Sequence, residues 1–247
     1  MHRFYIAPES WDPRDPILRD AEAHHARDVL RLKRGERAVL FNGRGREITA
    51  EIVDLAKGEV RLRKLHEGET PPLRCRITLG QAIPKGKNME LIVQKAVEIG
   101  AAEIAPLISE RTIVDLDKKE TEQKQAKWRQ IAIEAAKQCG QNWLPQVGTP
   151  QKPKEFFSHV GGFDLRLIGS LQPDAIHLKK ILADYAEQYR DRPRRILMMV
   201  GPEGDFTPAE LALAKSHGCQ PITLGPIILR VETAAIYCLS VLSYELM

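Results

Sequence analysis

The stretch Arg195-Ile196-Leu197-Met198-Met199-Val200-Gly201-Pro202-Glu203-Gly204-Asp205-Phe206-Thr207-Pro208-Ala209-Glu210 decides the fold of this 247-residue chain. Its first six residues are an apolar run of strand length, of the kind that lies covered on both faces in a parallel sheet. Thr207 and Glu210 have capping-box spacing, with Pro208 at the first helical position, so a helix begins there. A strand, a glycine-bearing loop and a helix make the repeating unit of a parallel α/β sheet. Ligands in such sheets sit beyond the carboxyl ends of the strands, which places residues 201–206 where chemistry is expected.

The same alternation extends on both sides. Strands are predicted over 76–83, 104–108, 165–168 and 221–224. Asn88 is expected to cap a helix that runs to Ile99 and stops at Gly100. A long helix over 119–138 would bury Trp128, Ile131, Ala135 and Cys139 on one stripe. Gly218 ends the helix opened by Thr207, and a last helix is predicted over 233–246.

Toward the amino end the period changes to two. Runs over 38–41 and 47–53 flank Asn42-Gly43-Arg44-Gly45, the signature of a hairpin turn. The run over 59–63 alternates apolar and basic residues, which would set a row of cations on one sheet face. Residues 22–32 have helical spacing with Ala26, Val29 and Leu30 on one side. The polar run over 66–72, ending in two prolines, reads as a linker. Two domains follow from this, 1–70 as a small barrel with one helix and 73–247 as the parallel α/β domain.

Composition bounds the function. Hydrophobic residues are 43% and charged residues 28%, an ordinary globular balance. No run approaches the roughly 20 apolar residues of a membrane span. The start, Met1-His2-Arg3-Phe4-Tyr5, lacks a signal-peptide pattern. The expectation is a cytoplasmic protein with no membrane partner. Cys75, Cys139, Cys219 and Cys238 are scattered, which fits reduced thiols better than disulfides or a zinc site. Net charge is +4, but between His24 and Arg46 seven cations face two anions. That local excess is either a solvated face or a nucleic-acid contact.

Three strand-end loops qualify for ligand binding: Gly169-Ser170, residues 201–206 and residues 225–233. Their glycines allow close backbone approach to a ligand, although ordinary turn chemistry explains any one of them. Other chemistries fail. Gly43-x-Gly45 lacks the rest of a dinucleotide fingerprint, and no phosphate-binding P-loop or G-x-S-x-G nucleophile motif is present. His24 and His25 are adjacent and point apart on a helix, so no metal is expected.

Residue by residue, Val200-Gly201-Pro202-Glu203-Gly204-Asp205-Phe206 and Leu224-Gly225-Pro226-Ile227-Ile228-Leu229-Arg230-Val231-Glu232-Thr233-Ala234 resemble the two signature loops of the small-subunit (16S) ribosomal RNA uracil-N3 methyltransferases, a family of the SPOUT superfamily. The resemblance continues in Pro84-Lys85-Gly86-Lys87-Asn88-Met89-Glu90-Leu91, in Ser109-Glu110-Arg111, in Glu134-Ala135-Ala136-Lys137-Gln138 and in His2-Arg3-Phe4. Two positions depart from the family pattern: Asp205, where glycine is more usual, and Ile227, where arginine is common.

The resemblance implies a parallel α/β methyltransferase domain closed by a carboxyl-terminal trefoil knot, a small PUA-like β-barrel for RNA, and a homodimer. It implies S-adenosyl-L-methionine as cofactor, held by Ile168, Gly169, Val200, Gly201, Gly204, Leu224, Gly225, Ile228, Leu229, Arg230, Thr233 and Ala234. The substrate would be ribosomal RNA of the small subunit. Lys85, Lys87 and Arg111, with Arg3, His24, Arg27, Arg31 and Lys33 of the first domain, are the candidate RNA contacts. Plain solvation is the alternative for each.

Methylating N3 of a uracil requires removal of its proton, balance of the charge that spreads to O2 and O4, and alignment with the methyl donor. Glu232 or Glu203 is placed to take the proton and Arg230 to stabilise the oxyanion. Glu232 reads equally as a helix amino-terminal charge, and Arg230 as a phosphate or interface contact. Since the N3 edge must be free, the target base is expected in a loop or extruded. Two readings compete: another knotted methyltransferase acting on a ribose 2′-OH or a different base, and a non-catalytic RNA-binding assembly factor.

Overall fold

The computed structural model describes residues 1–112, 117–159 and 161–247. It divides into two compact units, one formed by Met1–Pro72 with Ile133–Leu144, the other by Leu73–Ala132 with Pro145–Met247.

In the first unit, β1 (His2–Tyr5), β2 (Ile17–Arg19), β3 (Arg37–Phe41), β4 (Arg46–Ala56) and β5 (Glu59–Glu69) form a sheet in the order β1-β3-β4-β5-β2. β1 lies parallel to β3, and the other pairs are antiparallel. Alternation decides the faces: Ile48, Ala50 and Ile52 of β4 are buried with Phe4, Leu18, Leu40 and Val60, while Thr49 and Glu51 between them lie on the other face. Two register shifts against β5, at Thr49/Ala50 and Ile52/Asp54, bend this pair as bulges do. The β3–β4 turn is the expected hairpin. Gly43 and Gly45 take φ of 70° and 86°, and the Asn42 side chain accepts from the N–H groups of Arg44 and Arg46 at 2.8 and 3.1 Å.

Three expectations for this unit change. Residues 66–69 are the end of β5, paired with Arg46–Thr49, and not a linker. The helix is short: α1 (Asp20–His24) passes into a π-turn at His25–Val29, which buries Ala26 but leaves Val29 59% exposed. The basic row on β5 is neutralised in place, with Arg61 paired to Glu59 at 2.8 Å and Arg63 to Glu51 at 3.3 Å.

The returning segment Ile133–Leu144 supplies this unit with polar struts. Lys137 Nζ lies 3.1 Å from Glu22 and 5.9 Å from the Phe4 ring centre. Burial raises the Glu22 pKa, and the neighbouring ammonium partly offsets this. The same burial, reinforced by Lys137, lowers that of His25.

In the second unit every strand pair is parallel: β6 (Arg76–Ala82), β7 (Glu103–Leu107), β8 (Gln146–Val147), β9 (Leu165–Gly169), β10 (Ile176–His177), β11 (Arg195–Val200) and β12 (Gln220–Thr223) stand in the order β10-β12-β9-β11-β6-β7-β8. Ile196 to Val200 are buried without a break, as a strand covered on both faces requires. The helices between strands are α2 (Asn88–Ile99), α3 (Lys118–Cys139), α4 (Pro153–His159), α5 (Leu178–Tyr189), α6 (Pro208–Ser216) and α7 (Val231–Leu246). α2 ends as expected on Gly100 at φ 95°, but its N-cap is Lys87 and not Asn88. α6 opens on the Thr207/Glu210 capping box. α7 starts two residues before the expected 233, which makes Arg230 its N-cap and puts Glu232 in its first turn. In α3, Trp128, Ala135 and Ala136 are buried, whereas Cys139 is exposed.

Burial holds the other three thiols well above the ordinary range, Cys75 at about 11 and Cys219 and Cys238 at about 12. A thiol needs its thiolate to react. We predict that one cysteine, Cys139, reacts with a maleimide at pH 7.5 under native conditions and all four react in denaturant, as read by intact mass.

Candidate functional site

The carboxyl ends of β12, β9 and β11, adjacent in that order, open onto a cleft of about 920 Å³. Sites for small molecules measure about 300–1,000 Å³. Three connections build its walls: residues 169–173 after β9, the turn after β11, and residues 223–232 after β12.

The turn after β11 is tight. The Asp205 N–H donates to the Pro202 carbonyl at 2.9 Å, and the Asp205 carboxylate accepts from the Phe206 N–H at 2.7 Å. Asp205 sits at φ 59°, a conformation glycine enters freely and aspartate tolerates when its side chain bonds locally. Aspartate is thereby accommodated at the position where the resemblance led to an expectation of glycine. Gly201 has no such latitude: a Cβ would lie 3.0 Å from Asp205 Oδ1 and 3.2 Å from the Phe206 nitrogen. After β12, Gly225 takes φ 115°.

Besides Asp205, two carboxylates line the cleft, and the β6–α2 connection and the start of α2 hold them. Glu203 accepts from the Lys85 N–H at 2.9 Å, and Glu232 from the Asn88 side-chain amide at 3.4 Å. Arg230 is exposed and has no ion-pair partner among the described residues. Beside it, Ile227 and Ile228 are 70% and 79% exposed.

Beneath the walls, the buried Glu210 ties two loops together. Its carboxylate accepts from Ser109 Oγ at 3.0 Å, from the Glu110 N–H at 3.0 Å and from the Thr207 N–H at 2.9 Å. Arg111, just beyond, donates to the Gly204 carbonyl.

Arg230, Glu232 and Glu203 line one cleft, as do Gly169, Val200, Gly201, Leu224, Gly225, Ile228, Leu229 and Ala234. Ile168 is fully buried in the sheet, and Gly204 and Thr233 stand outside the lining. Asn88 and residues 171–173 line the cleft without having been singled out. The partner of Asn88 lies 144 positions away, so no local pattern marks it. Among the RNA candidates, Lys85 and Lys87 are exposed near the cleft, while one guanidinium nitrogen of Arg111 is committed to Gly204.

In the first unit Arg3 has a structural position. Its guanidinium bonds Glu47 at 3.1 Å and Asn142 at 2.5 Å, so phosphate contact there would require breaking both. His24 and Arg27 share Asp28, at 2.8 and 2.9 Å, and the Arg27 hydrogen bond holds the Asp28 carboxyl below its ordinary pKa. Arg31 and Lys33 are exposed, with no ion-pair partner among the described residues.

Residues 71–243 match the family model described as an RNA methyltransferase domain, and residues 18–65 match an RNA methyltransferase PUA domain. The chain is 34% identical over 234 residues to the ribosomal RNA small subunit methyltransferase E of Synechocystis, covering 94% of this chain and 74% of that protein. The chain belongs to the ribosomal RNA small subunit methyltransferase E family. The Bacillus subtilis member is 29% identical, covering 91% of this chain and 88% of its own. The Neisseria gonorrhoeae member, solved with S-adenosyl methionine bound, superposes with a TM-score of 0.86 at 33% identity, covering 100% of this chain and 98% of that one. A Legionella pneumophila methyltransferase, solved with its cofactor SAM, gives 0.87 at 35%, covering 98% and 97%.

Within this family member the Glu210 contacts should be costly to lose, because each buried donor left without a partner costs about 1–3 kcal/mol. Glu210→Ala is expected to lower unfolding free energy by about 3 kcal/mol or more in urea titration. Glu210→Gln, which keeps one carbonyl acceptor, should fall between that variant and the unaltered protein.

Proposed function

We propose that this protein transfers the methyl group of S-adenosylmethionine to N3 of a uracil in the RNA of the small ribosomal subunit. The observation that carries the reading is the convergence of a glycine where a Cβ would be crowded, an arginine with no ion-pair partner among the described residues, and the carboxylates of Glu203 and Glu232 on one cleft of a family member.

The cleft suits a nucleoside-bearing ligand. Gly201 and Gly225 let a flat ring approach the backbone, and the N–H and C=O groups of these loops offer hydrogen bonds to an adenine edge. Gly169, Leu224 and Leu229 line the same space. When bound, S-adenosylmethionine supplies an electrophilic methyl group. The rest falls to side chains of this chain. Arg230, with no ion-pair partner among the described residues, balances negative charge developing on a uracil oxygen. Glu232 takes the N3 proton, directly or through water, while its other contact to Asn88 fixes its rotamer. Glu203, held by the Lys85 N–H, sets the β6–α2 loop and its lysines over the cleft.

Arg31 and Lys33 in the first unit and Lys85 and Lys87 in the second are the cations we assign to RNA phosphates. Family membership also supports a trefoil-knotted thread and a homodimer, in keeping with an exposed stripe of Thr233, Tyr237, Ser240 and Tyr244 on α7. The reaction belongs to the cytoplasm, where the subunits are.

Labelled S-adenosylmethionine incubated with small subunits from cells lacking the activity should yield 3-methyluridine on nucleoside analysis. Label on a ribose or another base would overturn the target. Gly201→Ala should weaken cofactor binding at least tenfold by calorimetry, equivalent to about 1.4 kcal/mol. Arg230→Ala should lower kcat by about a hundredfold, in the range of one lost oxyanion contact, with cofactor affinity kept. Undiminished kcat would remove Arg230 from the mechanism.

A further inference from the structure

The end of the sheet opposite the cleft carries a second concentration of charge. β11 starts at Arg195 after Arg190-Asp191-Arg192-Pro193-Arg194, and β6 starts at Arg76 after Arg74-Cys75. Arg76 and Arg195 are register partners in neighbouring parallel strands, and the Arg76 N–H donates to the Arg194 carbonyl at 2.7 Å. Six arginines therefore gather at one sheet edge, all of them exposed. Side by side in a sheet, like charges repel.

The carboxylates at this edge do not balance them. Asp164 spends one oxygen on the N–H groups of Arg194 and Arg195, at 2.8 and 2.9 Å, which shapes the loop and leaves the guanidinium groups outward. Asp191 accepts the Arg192 N–H at 2.8 Å and meets Arg194 at 3.2 Å. Arg192 also reaches the Glu245 carbonyl at 2.8 Å, and Arg195 lies over the Phe163 ring. Arg74, Arg76 and Arg190 have no ion-pair partner among the described residues.

An aromatic pair adjoins the arginines. Tyr185 and Tyr189, with ring centres 4.5 Å apart, form the last turn of α5, and Tyr189 directly precedes Arg190 with 57% of its surface exposed. Burial, and after it the charge of Asp164, raises the Tyr185 phenol. Cations beside an exposed ring are what a nucleic-acid backbone with an unstacked base requires.

We propose that this arginine edge is a second RNA-binding surface, distinct from the cleft, which grips phosphates of the same RNA about 17 Å of strand away from the reacting base. The choice of RNA as occupant rests on the function proposed above. Tyr189 offers a stacking face there, and the arginines bind by charge and by bidentate phosphate contacts.

The test compares the unaltered protein with Arg74→Gln/Arg76→Gln/Arg194→Gln in binding to protein-free small-subunit ribosomal RNA across a salt series. The slope of log affinity against log salt should become shallower by about 2 to 3 in the triple variant. Cofactor affinity should stay unchanged, and lysine at the same three positions should restore the slope. An unchanged slope would overturn the proposal, as would a change in oligomeric mass, which would make the edge a contact between copies. Should the triple variant fail to fold, Arg74→Gln and Arg194→Gln singly are each expected to reduce the slope by just under about 1. Failure of the unaltered protein to transfer methyl would sink the proposed activity and leave this comparison of slopes standing.

Discussion

A buried carboxylate organises the second unit. Glu210 takes the Ser109 hydroxyl and the Glu110 N–H, about a hundred residues away in sequence, together with the Thr207 N–H of its own helix start. Through it the start of α6, the end of the β11 turn and the segment after β7 become one rigid piece. Arg111 can then reach the Gly204 carbonyl, and the Gly201–Asp205 turn closes tightly enough that a Cβ on Gly201 would be crowded. The geometry of the cleft wall is set from below, by a residue that does not face the cleft.

The fold is legible in the sequence where burial writes a local pattern. Ile196 to Val200 are apolar in succession because both faces of β11 are covered, and the capping box of α6 needs only four residues. It is not legible where a distant partner decides. Residues 66–69 look like a linker because they are polar, yet they are strand because Arg46–Thr49 pairs with them. The π-turn at His25–Val29 rotates Val29 out of the helical stripe to which its spacing assigned it. Asn88 looks like a cap, and its amide instead serves Glu232. α5 carries Leu178 and Ile181 buried three apart on one face, a stripe that its spacing does show.

The cations of the chain fall into two kinds that composition cannot separate. Arg3, Arg61, Arg63 and Lys137 each meet a carboxylate of their own unit, which fixes the side chain and removes its charge from view. Exposed pairs among these add little stability, since water screens them. Arg31, Lys33, Lys85, Lys87 and Arg230 have no such partner among the described residues and keep their field. A net charge of +4 thus understates the local potential at the faces where these five stand.

The cleft is assembled from residues as far apart as Asn88 and Ala234, drawn from the ends of three strands that are neighbours in space but not in sequence. Such long-range pairing carries the entropic cost of closing the intervening loops. A chain still emerging from the ribosome has no place to put a nucleoside until α7 has been made and packed. Occupancy of the pocket therefore reports that α7 is in place: chains without it have nothing to bind, and only molecules with the whole cleft gain the added stability that a ligand confers on the native state.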